Sequence, residues 1–159
     1  MAVMRAGVPV RAYVSCVCDC PYDGPTPPAA VAEVAGRLLA LGAAEVSLGD
    51  TIGSGTPETV AAMLDAVLER IPADRLAGHF HDTGGRALDN IRTALSRGLR
   101  LFDTSAGGLG GCPFAPGAKG NVATEKVAAL AADLGFKTGL DPDRLAEAAA
   151  FARSLRGPT

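Results

Sequence analysis

The chain has 159 residues, 48% hydrophobic and 20% charged, with fifteen basic against seventeen acidic side chains and a net charge near −2. Aromatics make up 4% and Trp is absent, so the composition predicts one globular domain with a closely packed aliphatic core. No block of like charge offers a face to nucleic acid or to an anionic membrane, no apolar stretch approaches the ~20 residues of a bilayer crossing, and no apolar signal-peptide core stands near the N-terminus; a soluble, cytoplasmic protein is expected.

Taken in chain order, short apolar runs of strand length alternate with longer stretches of helical period, the pattern of βα units. Ala12 to Val17 reads as the first strand. Thr26 then stands as a cap with Pro27 at the first helical position, and Val31, Val34, Leu38 and Leu41 share one face before Gly42 stops the helix. Glu45 to Leu48 is the second strand. Thr56-Pro57 opens the clearest helix, with Val60, Met63, Leu64, Val67, Leu68 and Ile71 at helical spacing. A third strand over about Leu76 to His81 leads to a helix carrying Leu88, Ile91 and Leu95 and closed by Gly98. The fourth, Leu101 to Ser105, opens into a Gly-rich loop from Gly107 to Gly120, after which Val127, Leu130, Ala131 and Leu134 line another helix. Asp141-Pro142 starts a final Ala-rich helix to about Leu155.

Four strands joined by single helices imply a parallel sheet with right-handed crossovers. An open doubly wound sheet is one solution, although no G-x-G-x-x-G follows the first strand. The other is a (β/α)8 barrel, which takes ~250 residues, so this length supplies about half of one. Either architecture puts functional groups at the C-terminal ends of the strands.

Of the four cysteines, Cys16, Cys18 and Cys20 alternate along one short segment, which fits a reducing compartment better than a disulfide framework. Their spacing is not the C-x2-C of a structural zinc site and points to packing at a strand end. The sharpest chemical feature is His79-Phe80-His81-Asp82 at the end of the third strand. Residues two apart on a strand share a face, so the two imidazoles form either a divalent-metal clamp or a hydrogen-bonded pair. The Gly-rich loop with its single thiol, Cys112, is either a cover that closes over a ligand or a flexible connection. Asn121 stands where a helix cap stands, and Asp50 and Asp103, at strand ends, read either as rim bases or as loop-capping groups.

Together these segments carry a resemblance. Ser47-Leu48-Gly49-Asp50-Thr51-Ile52-Gly53, His79-Phe80-His81-Asp82-Thr83 and Gly108-Leu109-Gly110-Gly111-Cys112-Pro113 with Gly120-Asn121 are similar, in order and spacing, to the 3-hydroxy-3-methylglutaryl-CoA lyase family. Tyr13-Val14-Ser15-Cys16, Cys20-Pro21-Tyr22 and Asn121-Val122-Ala123-Thr124-Glu125 also match, and the resemblance runs from about Arg11 to Arg156. It implies an α/β (β/α)8 barrel to which residues 1–159 contribute strands five to eight and a C-terminal helix, the N-terminal half being absent. It also implies His79, His81 and Asn121 as ligands of Mg2+ or Mn2+, Asp50 as a proton-transfer group, Cys112 as the loop thiol needed for turnover, and Glu125 as a supporting residue. The family's fourth ligand, an Asp beside a catalytic Arg after the first strand, has no counterpart here. The implied activity is metal-dependent carbon–carbon cleavage of an acyl-CoA substrate, 3-hydroxy-3-methylglutaryl-CoA, to acetyl-CoA and acetoacetate, with this chain alone inactive. The implied partner is the missing N-terminal half or another copy in a homo-oligomer. Two alternatives stand beside it: a Claisen-type enzyme of the same superfamily condensing an acyl-CoA with a 2-oxo acid, and a non-catalytic, self-associating half-barrel.

Overall fold

The computed structural model describes residues 7–111 and 120–155. In chain order the elements are β1 (Arg11–Val14), a hairpin of β2 (Asp19–Cys20) and β3 (Gly24–Pro25), α1 (Pro28–Ala40), β4 (Glu45–Asp50), α2 (Pro57–Leu68), β5 (Leu76–Phe80), α3 (Ala87–Ser96), β6 (Leu101–Asp103), α4 (Thr124–Asp133) and α5 (Pro142–Ser154). β1, β4, β5 and β6 form one parallel sheet in that order. Each strand of this sheet is followed by a helix, so the four expected βα units are present as half of a (β/α)8 barrel. The short antiparallel hairpin of β2 and β3 is an addition that the sequence reading did not include.

Strand alternation divides the sheet into two faces. One packs Val14, Val46, Leu48, Leu76 and Phe80 against buried Val60, Met63, Leu64 and Val67 of α2 and Ile91 of α3. Full burial of side chains this size contributes roughly 1.5–3 kcal/mol each. The other face, away from the helices, carries Arg11 and Tyr13 of β1, Ser47 of β4, His79 of β5 and Asp103 of β6.

Three strands end earlier than expected because other partners take their backbone groups, while β4 runs two residues further, to Asp50. Cys16 adopts a left-handed backbone (φ 58°) and its amide donates to Thr51 Oγ1, so β1 stops at Val14 rather than Val17. His81 leaves the ladder to bridge Asn121, and Ser105 to bridge Ala123. Thr26 is not the cap of α1: its hydroxyl donates to the Cys16 carbonyl at 2.6 Å, and Pro27 holds the cap position ahead of Pro28. The buried face of α1 is Val31, Ala32 and Ala35, with Leu38 and Leu39 partly buried against the same core and Val34 and Leu41 exposed. In α4 only Leu130 is fully buried and Leu134 is exposed, because this helix lies at the end of the sheet beside the edge strand β6. The Thr56 start of α2 is as expected and includes a reciprocal capping box with Thr59. Asp141 caps α5 through the Asp143 and Arg144 amides.

Candidate functional site

The site is built at the end of β5. Phe80 points into the core, and that anchors His79 on the open face of the sheet. His81, one residue past the strand, converges on it: the two Nε2 atoms stand 3.2 Å apart, with ring centroids 5.2 Å apart and planes tilted 51°.

Asn121 reaches the pair through backbone pairing. The Asp82 amide donates to the Gly120 carbonyl at 2.8 Å and the Val122 amide to the Phe80 carbonyl at 3.3 Å, so residues 120–122 lie antiparallel to the end of β5 with Asn121 opposite His81. Asn121 is therefore no helix cap; Ala123 takes that position ahead of α4. The Asn121 amide nitrogen donates to the Leu109 carbonyl at 3.0 Å, which ties the two ends of the Gly-rich loop together and leaves the amide oxygen for His81. A Cβ on Gly120 would stand 1.9 Å from the Gly110 carbonyl oxygen, and one on Gly110 would stand 2.6 Å from Asn121 Nδ2. Both glycines also have positive φ, +73° and +98°. At these two positions glycine makes room for close packing. Cys112 lies outside the described residues.

His81 is buried, and burial holds its pKa below the ordinary histidine value; the neighbouring His79 acts in the same sense and the hydrogen bond with Asn121 in the opposite one. A neutral imidazole is the form that binds a cation. Two ligand atoms at right angles around one ion at 2.0–2.2 Å are about 3 Å apart, which the observed Nε2 separation matches. Among the described residues no three His, Cys, Asp or Glu side chains converge, so a cation here would rely on two imidazoles and an amide oxygen. That is a mixed nitrogen and oxygen donor set without thiolate.

On the open face His79 has further neighbours. Tyr13 meets its ring edge-on with centroids 6.3 Å apart, and Asp103 Oδ2 lies 3.6 Å from its Nδ1. Asp103 also accepts from Ser47 Oγ at 2.7 Å and from Arg11 Nη1 at 2.5 Å, while Arg11 pairs with Glu45. Sequence reasoning saw Asp103 only as a strand-end carboxylate. The network was legible in principle, since Arg11, Ser47 and His79 occupy same-face positions of successive strands, but it needed the strand register.

Asp50 is not brought together with the imidazoles. It pairs in register with Phe80 and shares its helix-side face, it is fully buried, and its Oδ2 accepts from the Gly55 amide at 3.0 Å. Burial raises its pKa above the ordinary carboxylate value, opposed by the Gly55 and Ser54 amides and by Arg86. Arg86 and Asn90 hold the same loop from α3 by donating to the Ser54 and Gly55 carbonyls. Glu125 stands at the start of α4, accepting from the Gly107 amide at 3.0 Å and from Arg153 of α5 at 2.9 Å, so it joins the root of the Gly-rich loop to two helices. Cys18 packs in the core beside this loop, its thiol pushed up to about 12 by burial and by the Asp50 carboxylate. Cys18 and Cys20 carry free thiols. No helix among the described residues is long and apolar enough to cross a membrane.

Comparison with known proteins places this geometry. The HMGL-like family profile matches residues 6–152. A mitochondrial hydroxymethylglutaryl-CoA lyase of Bos taurus is 53% identical over 150 residues, 94% of this chain and 46% of that protein. The crystal structure of an HMG-CoA lyase from Brucella melitensis superposes with a TM-score of 0.95 at 64% identity, covering 98% of this chain and 55% of that one. An Acinetobacter baumannii HMG-CoA lyase solved in complex with coenzyme A and 3-methylmalate gives a TM-score of 0.88 at 34% identity, covering 97% of this chain and 50% of that one. The chain spans about half the length of the curated relatives it matches.

Proposed function

This chain belongs to the HMGL-like family, and on that premise we propose that it is the C-terminal half of a hydroxymethylglutaryl-CoA lyase barrel, the half that holds the metal. The observation that carries the proposal is the convergence of His79 and His81 at 3.2 Å, with Asn121 delivered to His81 by the backbone pairing of residues 120–122. In this reading the two Nε2 atoms and the Asn121 amide oxygen hold Mg2+ or Mn2+. A bound divalent ion lowers the pKa of a hydroxyl it ligates and orients the bond to be broken.

The reaction splits the C2–C3 bond of 3-hydroxy-3-methylglutaryl-CoA as the C3 hydroxyl loses its proton to a base, the role the family resemblance gives Asp50, leaving acetoacetate and the enolate of acetyl-CoA, which takes up a proton at carbon. Cys112, the single thiol of the Gly-rich loop, is the group we assign to that protonation. Glu125 keeps the loop root seated through Gly107. Asp50, a buried carboxylate on the helix-side face bonded to the Gly55 amide, also fixes the loop after β4. The substrate is an acyl-CoA, and the complementary four βα units close the sheet along β1 and β6, whose outer edges have no strand partner in the sheet among the described residues. Relatives are named as both mitochondrial and cytoplasmic enzymes.

The test is acetoacetate formation from 3-hydroxy-3-methylglutaryl-CoA. This chain alone should give none, because one metal ligand and a substrate-facing cation come from the other half. Mixed with a chain carrying the first four βα units of a relative, it should give cleavage that falls sharply in Cys112→Ala. Reassembled barrels that release thiol from acetyl-CoA with a 2-oxo acid and show no lyase activity would establish the condensing enzyme instead.

A further inference from the structure

We propose that Asp103 is a positioning residue for His79, fixing the imidazole in the tautomer that leaves Nε2 bare. The proposal rests on the reading of His79 as a cation ligand and deepens it.

His79 Nδ1 is buried and has no hydrogen-bond partner. A buried ring nitrogen without a partner costs free energy, so the group nearest to it matters. That group is Asp103 Oδ2, at 3.6 Å, on the neighbouring strand and in direct register with His79. A small rotation of either side chain closes the gap to a hydrogen bond. The carboxylate itself is held in place: Ser47 donates to the same Oδ2, and Arg11 to Oδ1. Three strands therefore aim one anionic oxygen at one ring nitrogen.

Neutral imidazole carries its proton on one nitrogen only. With the proton on Nδ1, the ring offers N–H to the carboxylate and keeps the Nε2 lone pair toward His81 and the site. With the proton on Nε2, the Nδ1 lone pair would face the negative oxygen, and Nε2 could not ligate. The first arrangement is favoured, and it is the one in which a histidine ligand donates its second nitrogen to a carboxylate. Tyr13, edge-on to the ring, limits the flip that would exchange the two nitrogens. His81 is set differently: its Nδ1 also lacks a partner, and its neighbour across the site is the Asn121 amide. The two ligands are oriented by separate means.

The chain holds only two histidines, so a two-bond proton–nitrogen correlation spectrum of the metal-free chain resolves both rings, and a His81→Ala sample assigns them. His79 should appear with Nδ1 protonated and Nε2 bare. In Asp103→Ala it should become a tautomer mixture, and Mn2+ affinity, followed by spin resonance, should fall about 10–100-fold. Asp103→Asn, nearly equal in size, should fall between and serves if the alanine variant does not fold. Ser47→Ala, which loosens the same network without removing the carboxylate, should keep the wild-type tautomer. An Nε2-protonated His79 in the wild type, or an unchanged spectrum and Mn2+ affinity in Asp103→Ala, would overturn the assignment, as would an equal shift in Ser47→Ala. A wild-type chain with the expected tautomer that binds no Mn2+ would support the role of Asp103 and count against the metal reading alone.

Discussion

Phe80→Ala isolates the alternation that places the site. Phe80 is 1% exposed, with Phe102 packed against the same core and a ring atom 2.7 Å from where a Cβ on Gly78 would stand. The ring therefore fills the space that the glycine leaves. Removing it forfeits the transfer of a whole aromatic side chain and opens a cavity, together about 3–5 kcal/mol. For a chain of this size that corresponds to a drop in melting temperature of roughly 6–20 °C. The comparison is His79→Ala, one residue away on the open face, which should change stability by less than about 1 kcal/mol. Urea and thermal melts followed by circular dichroism measure both. If Phe80→Ala melted with the wild type while His79→Ala collapsed, the assignment of faces in β5 would be inverted and the convergence of the imidazoles would have no structural basis.

Gly120→Ala should unseat residues 120–122, since its Cβ would meet the Gly110 carbonyl oxygen at 1.9 Å; Mn2+ binding should weaken while most of the far-UV signal persists, and unchanged binding would contradict the delivery of Asn121 by this segment. Asp50 carries a pH signature: its folded pKa is raised above the unfolded value of about 3.9 by burial, so the folded state binds the proton more tightly. The corresponding stability is present at acid pH and lost as pH rises through the folded value. The stability of Asp50→Asn relative to wild type should therefore increase as pH rises from about 4 through the folded value, and a difference independent of pH in urea melts would refute this. The Cys18 thiol, pushed up to about 12, should resist alkylation in the folded chain at pH values where Cys20 reacts and should become reactive on unfolding, as read by mass spectrometry.

What was legible in the sequence followed period and punctuation. Four βα units showed in the alternation of apolar runs with helical stripes, and the Thr56 and Asp141 helix starts showed because caps are local. His79 and His81 could be paired from a spacing of two alone. Asn121 could not be placed this way: before a helical stretch it has the signature of a cap, and only the pairing of residues 120–122 with the end of β5 reveals its neighbour. Asp50 at a strand end read either as a rim base or as a loop-capping group, and the loop through Gly55 folds back over it and makes it internal. In α1 the apolar count favoured Val34 and Leu41, whereas close packing selected Ala32 and Ala35. These outcomes share a cause, in that contacts between elements distant in sequence decide which local option is used.

The measurement closest to the central claim is a Mn2+ titration of this chain by spin resonance, in wild type and in the double variant His79→Ala, His81→Ala. Three ligand positions without the family's carboxylate ligand should give weak but saturable binding to the wild type. The double variant should abolish it, and Asn121→Ala should weaken it without abolishing it. Saturable binding that survives loss of both imidazoles would show that the cation site is not at the end of β5.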